Sequence, residues 1–225
     1  NGYAEKDPTA DIEGFDACRK VCILASLAFG KHVYPNQVET EGITNISLED
    51  VSYIENAGGV IKLLGQIKYI NENEIAAFVS PAVVYNGSQL ASVKDVFNAI
   101  LVRGDAVGDV CFYGAGAGKL PTASAVVADI IDCAKHSDRK KIFGWGPGSE
   151  DYVVDYKERI EMPFYVRAKA DLAEVTSKFN DVKFLSRKGQ PSDEVAFITD
   201  IMTENKLNKK LEGMNVINTI KVTNY

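Results

Sequence analysis

The sequence predicts an α+β fold in two parts joined by a glycine-rich segment. Residues 155–225 follow the order strand, helix, strand, strand, helix, strand, which is the split βαβ plan. Residues 1–137 begin with a long apolar helix and continue with segments rich in Ile and Val. Residues 138–154 lie between them and read as a linker. We therefore predict a mixed-sheet domain with helices packed on the sheet, followed by a βαββαβ, ferredoxin-like domain.

Residues 15–29, FDACRKVCILASLAF, carry the strongest helix pattern of the chain. They are apolar nearly all round, so we expect this helix to be buried, and Gly30 is placed to end it. Ser47 predicts the start of a second helix, which Gly58 and Gly59 would end.

Residues 60–70 and 74–84 are predicted strands because Ile and Val dominate them. Residues 93–102, VKDVFNAILV, fit either a helix or a strand. Residues 106–119 predict a strand that runs into a glycine-rich loop, and Pro121 suits the first turn of the helix that follows.

Two periodicities support the prediction for the C-terminal part. Leu172, Val175 and Phe179 recur at helical spacing, whereas residues 195–199 alternate as a strand does.

Composition excludes several classes of protein. The 225 residues carry a net charge of −6, and a protein that binds phosphates or anionic lipids needs a basic surface instead. The longest apolar run, 21–29, is far shorter than the about 20 residues that cross a bilayer. The first residues are polar and contain no signal-peptide core. We therefore predict a cytoplasmic protein that binds neither nucleic acid nor membrane.

The cysteines do not suggest a metal centre or disulfides. Cys18, Cys22, Cys111 and Cys133 lie mostly in apolar runs, as small core residues do. The chain has two histidines and no CxxC pair, so it lacks the clustered ligands of a zinc site.

Two charged residues stand out in the first helix. Asp16 and Lys20 are four apart, which places them on one face, with the acid nearer the positive end of the helix. Charges entering an apolar helix must be paired, so the two residues form either a structural ion pair or a working site. A desolvated lysine can act as a general acid or base.

Four carboxylates precede this helix, on Glu5, Asp7, Asp11 and Glu13. They suit a cationic group such as an ammonium, although a solvated acidic turn has the same composition. Residues 113–119, YGAGAGK, are neither a P-loop nor a GxGxxG motif. This segment is either a tight turn or a loop whose amides meet a ligand at the start of a helix.

The stretch 2–30, GYAEKDPTADIEGFDACRKVCILASLAFG, resembles the substrate-site signature of the homoserine dehydrogenases. The resemblance continues in the family's order through EGI, IKLLG, LASVKDVFNAI and YGAGAGKLPTASAVVADI. The tail resembles an ACT domain, a regulatory unit found in many members. The likeness therefore implies a homoserine dehydrogenase catalytic (substrate-binding and dimerisation) domain at 1–137 and an ACT-like regulatory domain at 155–225.

The resemblance also implies roles for single residues. The family's active-site lysine, which exchanges a proton with the substrate oxygen, falls on Lys20, and its partner carboxylate falls on Asp16. The glutamate that binds the substrate's amino group falls on Glu5, and a further substrate-site carboxylate falls on Asp11. The loop glycines that approach the nicotinamide end of the cofactor fall on one segment, as Gly114, Gly116 and Gly118.

The implied reaction is the reversible interconversion of L-homoserine and L-aspartate 4-semialdehyde with NAD or NADP, in threonine and methionine biosynthesis. A dimer or tetramer is implied as well. The family's N-terminal Rossmann domain is not among these 225 residues, so we expect the chain to belong to a longer protein and to be inactive alone.

Two further departures concern smaller motifs. Ser88 and Gln89 stand where the family commonly has His-Pro, and nothing in the sequence explains the change. The tail lacks the Asp-x-Pro-Gly turn of amino-acid-binding ACT domains, so the resemblance does not extend to an effector site. The alternative reading is a non-catalytic module for amino-acid sensing or dimerisation. A metal-dependent hydrolase using the acidic turn is disfavoured, since no histidine lies near it.

Overall fold

The computed structural model describes residues 7–139, 142 and 144–223. The helices are α1 (Thr9–Ile12), α2 (Phe15–Phe29), α3 (Leu48–Asn56), α4 (Lys119–Lys135), α5 (Tyr156–Arg159), α6 (Leu172–Lys178) and α7 (Glu204–Leu211). The strands are β1 (Glu39–Thr40), β2 (Gly59–Asn71), β3 (Glu74–Tyr85), β4 (Phe97–Gly104), β5 (Gly108–Ala115), β6 (Glu161–Met162), β7 (Phe164–Lys169), β8 (Val182–Leu185), β9 (Glu194–Thr199), β10 (Met202–Thr203) and β11 (Asn215–Val222). The residues form two compact units, a larger one of 9–86 with 144–223 and a smaller one of 7–8 with 87–139 and 142.

The larger unit is built on a mixed sheet with the order β1-β3-β11-β7-β9-β8. β2 pairs antiparallel with β3 along nearly its whole length. On the other edge of β3, β1 and β11 pair parallel with successive segments, at Phe78–Val79 and at Ala82–Val83. The predicted α+β class with a mixed sheet is confirmed.

The C-terminal strands and helices appear in the predicted βαββαβ order, with the strand order β11-β7-β9-β8. Val175 of α6 and Leu207 of α7 pack in one core cluster with Val166 and Phe197 of the sheet. Strands from the segments 1–137 and 155–225 thus share one sheet. The division of the chain at these boundaries stays a prediction.

The helix α3 begins where the sequence predicted, because the Ser47 hydroxyl accepts a hydrogen bond from the Asp50 amide. The Asp50 carboxylate is fully buried and lies 3.1 Å from Nε of Arg167. It also accepts hydrogen bonds from the Tyr165 hydroxyl at 3.0 Å and from Nδ2 of the Asn218 side chain at 2.9 Å. Burial, and then the charge of Asp50, raise the pKa of the Tyr165 hydroxyl. One carboxylate therefore ties α3 to two strands of the tail.

Residues 144–154, part of the predicted linker, are bound to the rest of the larger unit. Gly146 forms a parallel bridge with Lys31, just past the end of α2. The Trp145 indole donates a hydrogen bond of 2.9 Å to Nδ1 of His32. The Val154 amide donates one of 2.9 Å to the Ile75 carbonyl.

The smaller unit consists of the β4–β5 hairpin and α4. Of residues 93–102, which fit either pattern in the sequence, 97–102 lie in β4, where Phe97 to Gly104 pair with β5. α4 begins at Lys119 with Pro121 in its first turn, and its large apolar residues Leu120, Val126, Val127, Ile130 and Ile131 are exposed. None of the described helices is both long and apolar enough to span a membrane.

Candidate functional site

The helix α2 brings Asp16 and Lys20 together. Gly14 precedes α2 in the left-handed conformation, with φ 79°, and its carbonyl accepts the first helical hydrogen bond from Cys18. Asp16 stands in the first turn, where the helix dipole favours a carboxylate. Nζ of Lys20 lies 2.6 Å from Oδ2 of Asp16. The shared face that the spacing predicted is therefore present.

The expected burial of α2 is wrong for one of its faces. Cys18, Val21 and Cys22 pack on the sheet, and burial raises the pKa of the Cys22 thiol to about 12. The opposite face is open: Ile23 and Leu27 are 53% and 54% exposed. The helix packs against the sheet with one face only, so the apolar residues on its other face stay exposed.

The same open face carries the ion pair. The side chains of Lys20 and Asp16 are 59% and 45% exposed. The described residues therefore leave both charged groups open to solvent and to a bound molecule. They do not supply the desolvation of Lys20 that the sequence suggested.

Asp11 lies in α1 and is exposed, and its carbonyl accepts a hydrogen bond from the Gly14 amide at 3.3 Å. The end of α1 and the two residues after it form the turn 12–14, which leads directly into α2. Asp11, Asp16 and Lys20 thus follow one another along a continuous stretch of two helices. Glu5, the other predicted substrate-binding residue, lies outside the described residues.

Three glycines fix this stretch against the sheet. A side chain at Gly42 would overlap the Ile12 carbonyl oxygen and come within 2.7 Å of Cα of Glu13. A side chain at Gly14 would lie 3.2 Å from Cγ1 of Val79, and one at Gly65 would overlap a methyl of Val21. The Ile43 amide also donates a hydrogen bond of 2.9 Å to the Ile12 carbonyl. The sequence reasoning missed these supports, although Gly65 inside a strand is a signal of close approach.

Gly42→Ala in the full-length protein is expected to lower the free energy of unfolding by about 1–3 kcal/mol, as overpacking does. The added methyl would meet backbone atoms of Ile12 and Glu13, which have no rotamer to change. Urea unfolding measures the effect. Gly87→Ala is the control, because a methyl at Gly87 meets no atom within 4 Å. Equal free energies of unfolding for the two variants would show that the turn 12–14 accommodates the methyl group with no loss of stability.

The glycine-rich segment lies in the smaller unit, on β5 and the start of α4. Gly118 stands at the N-cap of α4 with φ 114°, and no side chain caps the helix. The Gly116 amide donates a hydrogen bond of 2.9 Å to the Val96 carbonyl, and a side chain at Gly114 would meet open space. Gly114 and Gly116 line an open depression of about 260 Å³ on the hairpin. Gly114 therefore leaves backbone open to a ligand, whereas the Asn98 side chain fills the side of Gly116 where a Cβ would stand.

The described part of the chain contains neither a candidate metal site nor a disulfide. No group of three or more His, Cys, Asp and Glu side chains is arranged there to hold a metal ion. The four cysteines are free thiols, with Cys18 and Cys22 buried and Cys133 exposed.

Comparisons with known proteins point to one family. The sequence model described as homoserine dehydrogenase matches residues 1–131. The chain is 36% identical to the homoserine dehydrogenase of Corynebacterium glutamicum, over 99% of this chain and 53% of that protein. It is 48% identical to that of Synechocystis sp., over 58% of this chain and 31% of that protein.

Solved structures agree with the sequences. The homoserine dehydrogenase of Thiobacillus denitrificans superposes with a TM-score of 0.79 at 31% identity, covering 98% of this chain and 55% of that one. The enzyme of S. aureus gives 0.78 at 30% identity, covering 100% and 56%. The chain thus spans about half the length of the relatives that it matches from end to end. Together, the family match over 131 residues and the superposition of nearly the whole chain show that it belongs to the homoserine dehydrogenase family.

Proposed function

We propose that this chain is the substrate-binding part of a homoserine dehydrogenase. The full-length protein would interconvert L-homoserine and L-aspartate 4-semialdehyde with NAD or NADP. The observation that supports this most is the Lys20–Asp16 pair, whose charged atoms lie 2.6 Å apart on the open face of α2. Asp11 lies on α1, the helix directly before α2. An ammonium-bearing alcohol needs carboxylates for the amine and a proton-transfer group for the hydroxyl, and this stretch carries both.

Lys20 is the proposed proton-transfer residue. In the direction of reduction, its ammonium group donates a proton to the aldehyde oxygen, which becomes the hydroxyl of homoserine. In the direction of oxidation, Nζ takes that proton back. Asp16 holds the Lys20 side chain in place and stabilises its positive charge, since the carboxylate already contacts Nζ in this structure. Asp11 and Glu5 would bind the substrate's ammonium group.

The cofactor, when bound, supplies the chemistry of hydride transfer. Gly114 and Gly118 fit the approach of its nicotinamide end, because a side chain at Gly114 would meet open space and Gly118 precedes a helix without a side-chain cap. A side chain at Gly116 would overlap that of Asn98, so this glycine would shape the loop. The rest of a dinucleotide would need residues outside this chain, and the choice between NAD and NADP would depend on them.

The C-terminal strands and helices form the proposed regulatory unit, of ACT type. Their strand order, β11-β7-β9-β8, with two helices in the same core cluster supports this assignment. Assembly as a dimer or tetramer, a cytoplasmic location and a place in threonine and methionine biosynthesis complete the proposal.

Homoserine-dependent reduction of NAD and of NADP by the full-length protein tests the proposed function. The appearance of reduced cofactor that depends on L-homoserine would support it. Absence of activity with both cofactors would overturn it and favour the non-catalytic sensing or dimerisation module.

Asp11→Asn is expected to raise KM for homoserine about 10- to 100-fold, the range for losing a hydrogen bond to a charged group. kcat should change less, because Asp11 binds the amine and not the reacting oxygen. Initial rates at varied homoserine concentration separate the two constants. Glu72→Gln, in the exposed turn between β2 and β3, is the matched control. An unchanged KM in Asp11→Asn would remove Asp11 from the substrate site.

A further inference from the structure

Lys221, on the last strand of the tail, is a buried cation with two carboxylate partners. Its side chain is 7% exposed, and its Nζ lies 3.3 Å from Oε2 of Glu41 and 3.2 Å from Oε2 of Glu204. The Tyr156 ring lies beside it, with Nζ 5.4 Å from the ring centroid. A charge so far from water depends on these partners, of which Glu204 is 18% exposed and Glu41 43% exposed.

Lys221 is itself fixed by the sheet. It stands opposite Ala82 on β3 and opposite Phe164 on β7, with a strand paired on each side. The direction of its side chain is therefore set by the pairing of β11 with both neighbouring strands. Of its two carboxylate partners, Glu204 begins α7, whereas Glu41 belongs to the N-terminal segment that supports the candidate site.

Glu41 lies between the two residues that contact the turn 12–14. Thr40 and Gly42 flank it, and each lies close to that turn, Thr40 at Gly14 and Gly42 at Ile12 and Glu13. The Glu41 amide donates a hydrogen bond of 2.8 Å to the Val79 carbonyl, which anchors the segment to β3. The turn joins Asp11 to the helix of Asp16 and Lys20. A displacement of the Glu41 side chain would therefore move the backbone of residues 40–42, which contacts the turn 12–14.

We propose that Lys221 is a positioning residue for the substrate carboxylates, acting through Glu41 on the turn 12–14. This inference rests on the proposed function, because it assigns Lys221 a purpose in homoserine binding. Through Lys221, the tail would help to shape the substrate site, independently of any effector that the tail binds.

The test uses the full-length protein and two matched variants. Glu41→Gln and Glu204→Gln each remove one carboxylate partner of Lys221, but only Glu41 touches the segment under the turn. Glu41→Gln is expected to raise KM for homoserine roughly 2- to 30-fold, the range of coupling through a contact network, with KM for the cofactor unchanged. Glu204→Gln should leave KM for homoserine within about twofold, whatever its effect on Tm. Lys221→Met should resemble Glu41→Gln in KM.

Amide hydrogen exchange of the same proteins gives a readout that does not need turnover. Glu41→Gln and Lys221→Met should speed exchange at Gly14 and Ile43, whose amides bind the Asp11 and Ile12 carbonyls. Glu204→Gln should not. Equal KM and exchange changes in the two glutamate variants, or faster exchange with an unchanged KM, would overturn the positioning role. An inactive wild type would overturn the proposed function and with it the role of Lys221 in homoserine binding, while exchange would still decide whether Lys221 holds the turn.

Discussion

Lys20→Ala in the full-length protein is expected to lower kcat for homoserine oxidation about 10²–10⁴-fold, the usual contribution of a positioned acid or base. Alanine keeps the helix but removes the only group of the Asp16–Lys20 pair that carries a transferable proton. KM for homoserine should change much less, because the substrate's ammonium is bound by carboxylates. Steady-state rates in both directions measure the effect. The reduction of the semialdehyde should suffer as much as the oxidation, since the same Nζ serves both.

Arg19→Ala is the control for charge and helix. Arg19 is the neighbouring basic residue of α2 and is also exposed, so its loss changes net charge by the same amount. We expect its kcat to stay within about threefold of wild type, as for surface substitutions away from a site. Comparable losses in the two variants would mean that positive charge on α2 matters and that proton transfer at Lys20 does not.

Asp50→Ala is expected to lower the free energy of unfolding by about 3–5 kcal/mol, the cost of breaking a buried ion pair from one side. The substitution leaves the Arg167 guanidinium, whose side chain is 7% exposed, without its nearest carboxylate. It also removes the acceptor of the Tyr165 and Asn218 hydrogen bonds. Urea unfolding of the full-length protein, followed by far-UV circular dichroism, measures the loss.

Glu49→Ala provides the comparison for Asp50→Ala. Glu49 is the preceding residue in the first turn of α3 and lies 3.8 Å from Arg167, but its side chain is 49% exposed. An exposed pair of this kind contributes about 0–1 kcal/mol. A loss below about 1 kcal/mol for Asp50→Ala as well would indicate that Glu49 moves to replace it beside Arg167.

Local patterns determined most of the elements that the sequence predicted correctly. The helix 15–29 and its end at Gly30 follow from apolar periodicity and a left-handed cap, and the structure has both. The Ser47 cap needs only its own helix, so it too was visible. Residues 93–102 were ambiguous because a short apolar run suits either state, and only pairing with β5 decides it.

Contacts between distant residues could not be read from such patterns. β1 has two residues, too few for any periodicity, and its pairing with β3 depends on the sheet around it. The position of β11 beside β3 likewise has no local signal. The open face of α2 was missed for a related reason: composition shows that a helix can be buried, but not how many sides are covered.

The candidate site likewise has parts that local sequence patterns predicted and parts that depend on contacts between distant residues. The spacing of Asp16 and Lys20 predicted their contact, because four residues are one helical turn. The turn 12–14 is supported by Gly42, and the neighbouring Glu41 pairs with Lys221, which is far away in the sequence. Asp11 was singled out through the family resemblance, and its support by the segment 40–43 is visible only in three dimensions.

The place of β11 beside β3 also affects how the chain can fold while it is being made. Thr223 donates hydrogen bonds to the Val83 carbonyl, 140 positions earlier in the chain. A ribosome releases β3 well before it reaches that partner, so the part of this edge at Ala82 and Val83 stays unpaired until β11 has been translated. Such an edge readily pairs with another chain. Contacts this far apart in sequence also form slowly. Newly made molecules should therefore need protection by a chaperone until the last strand has been translated.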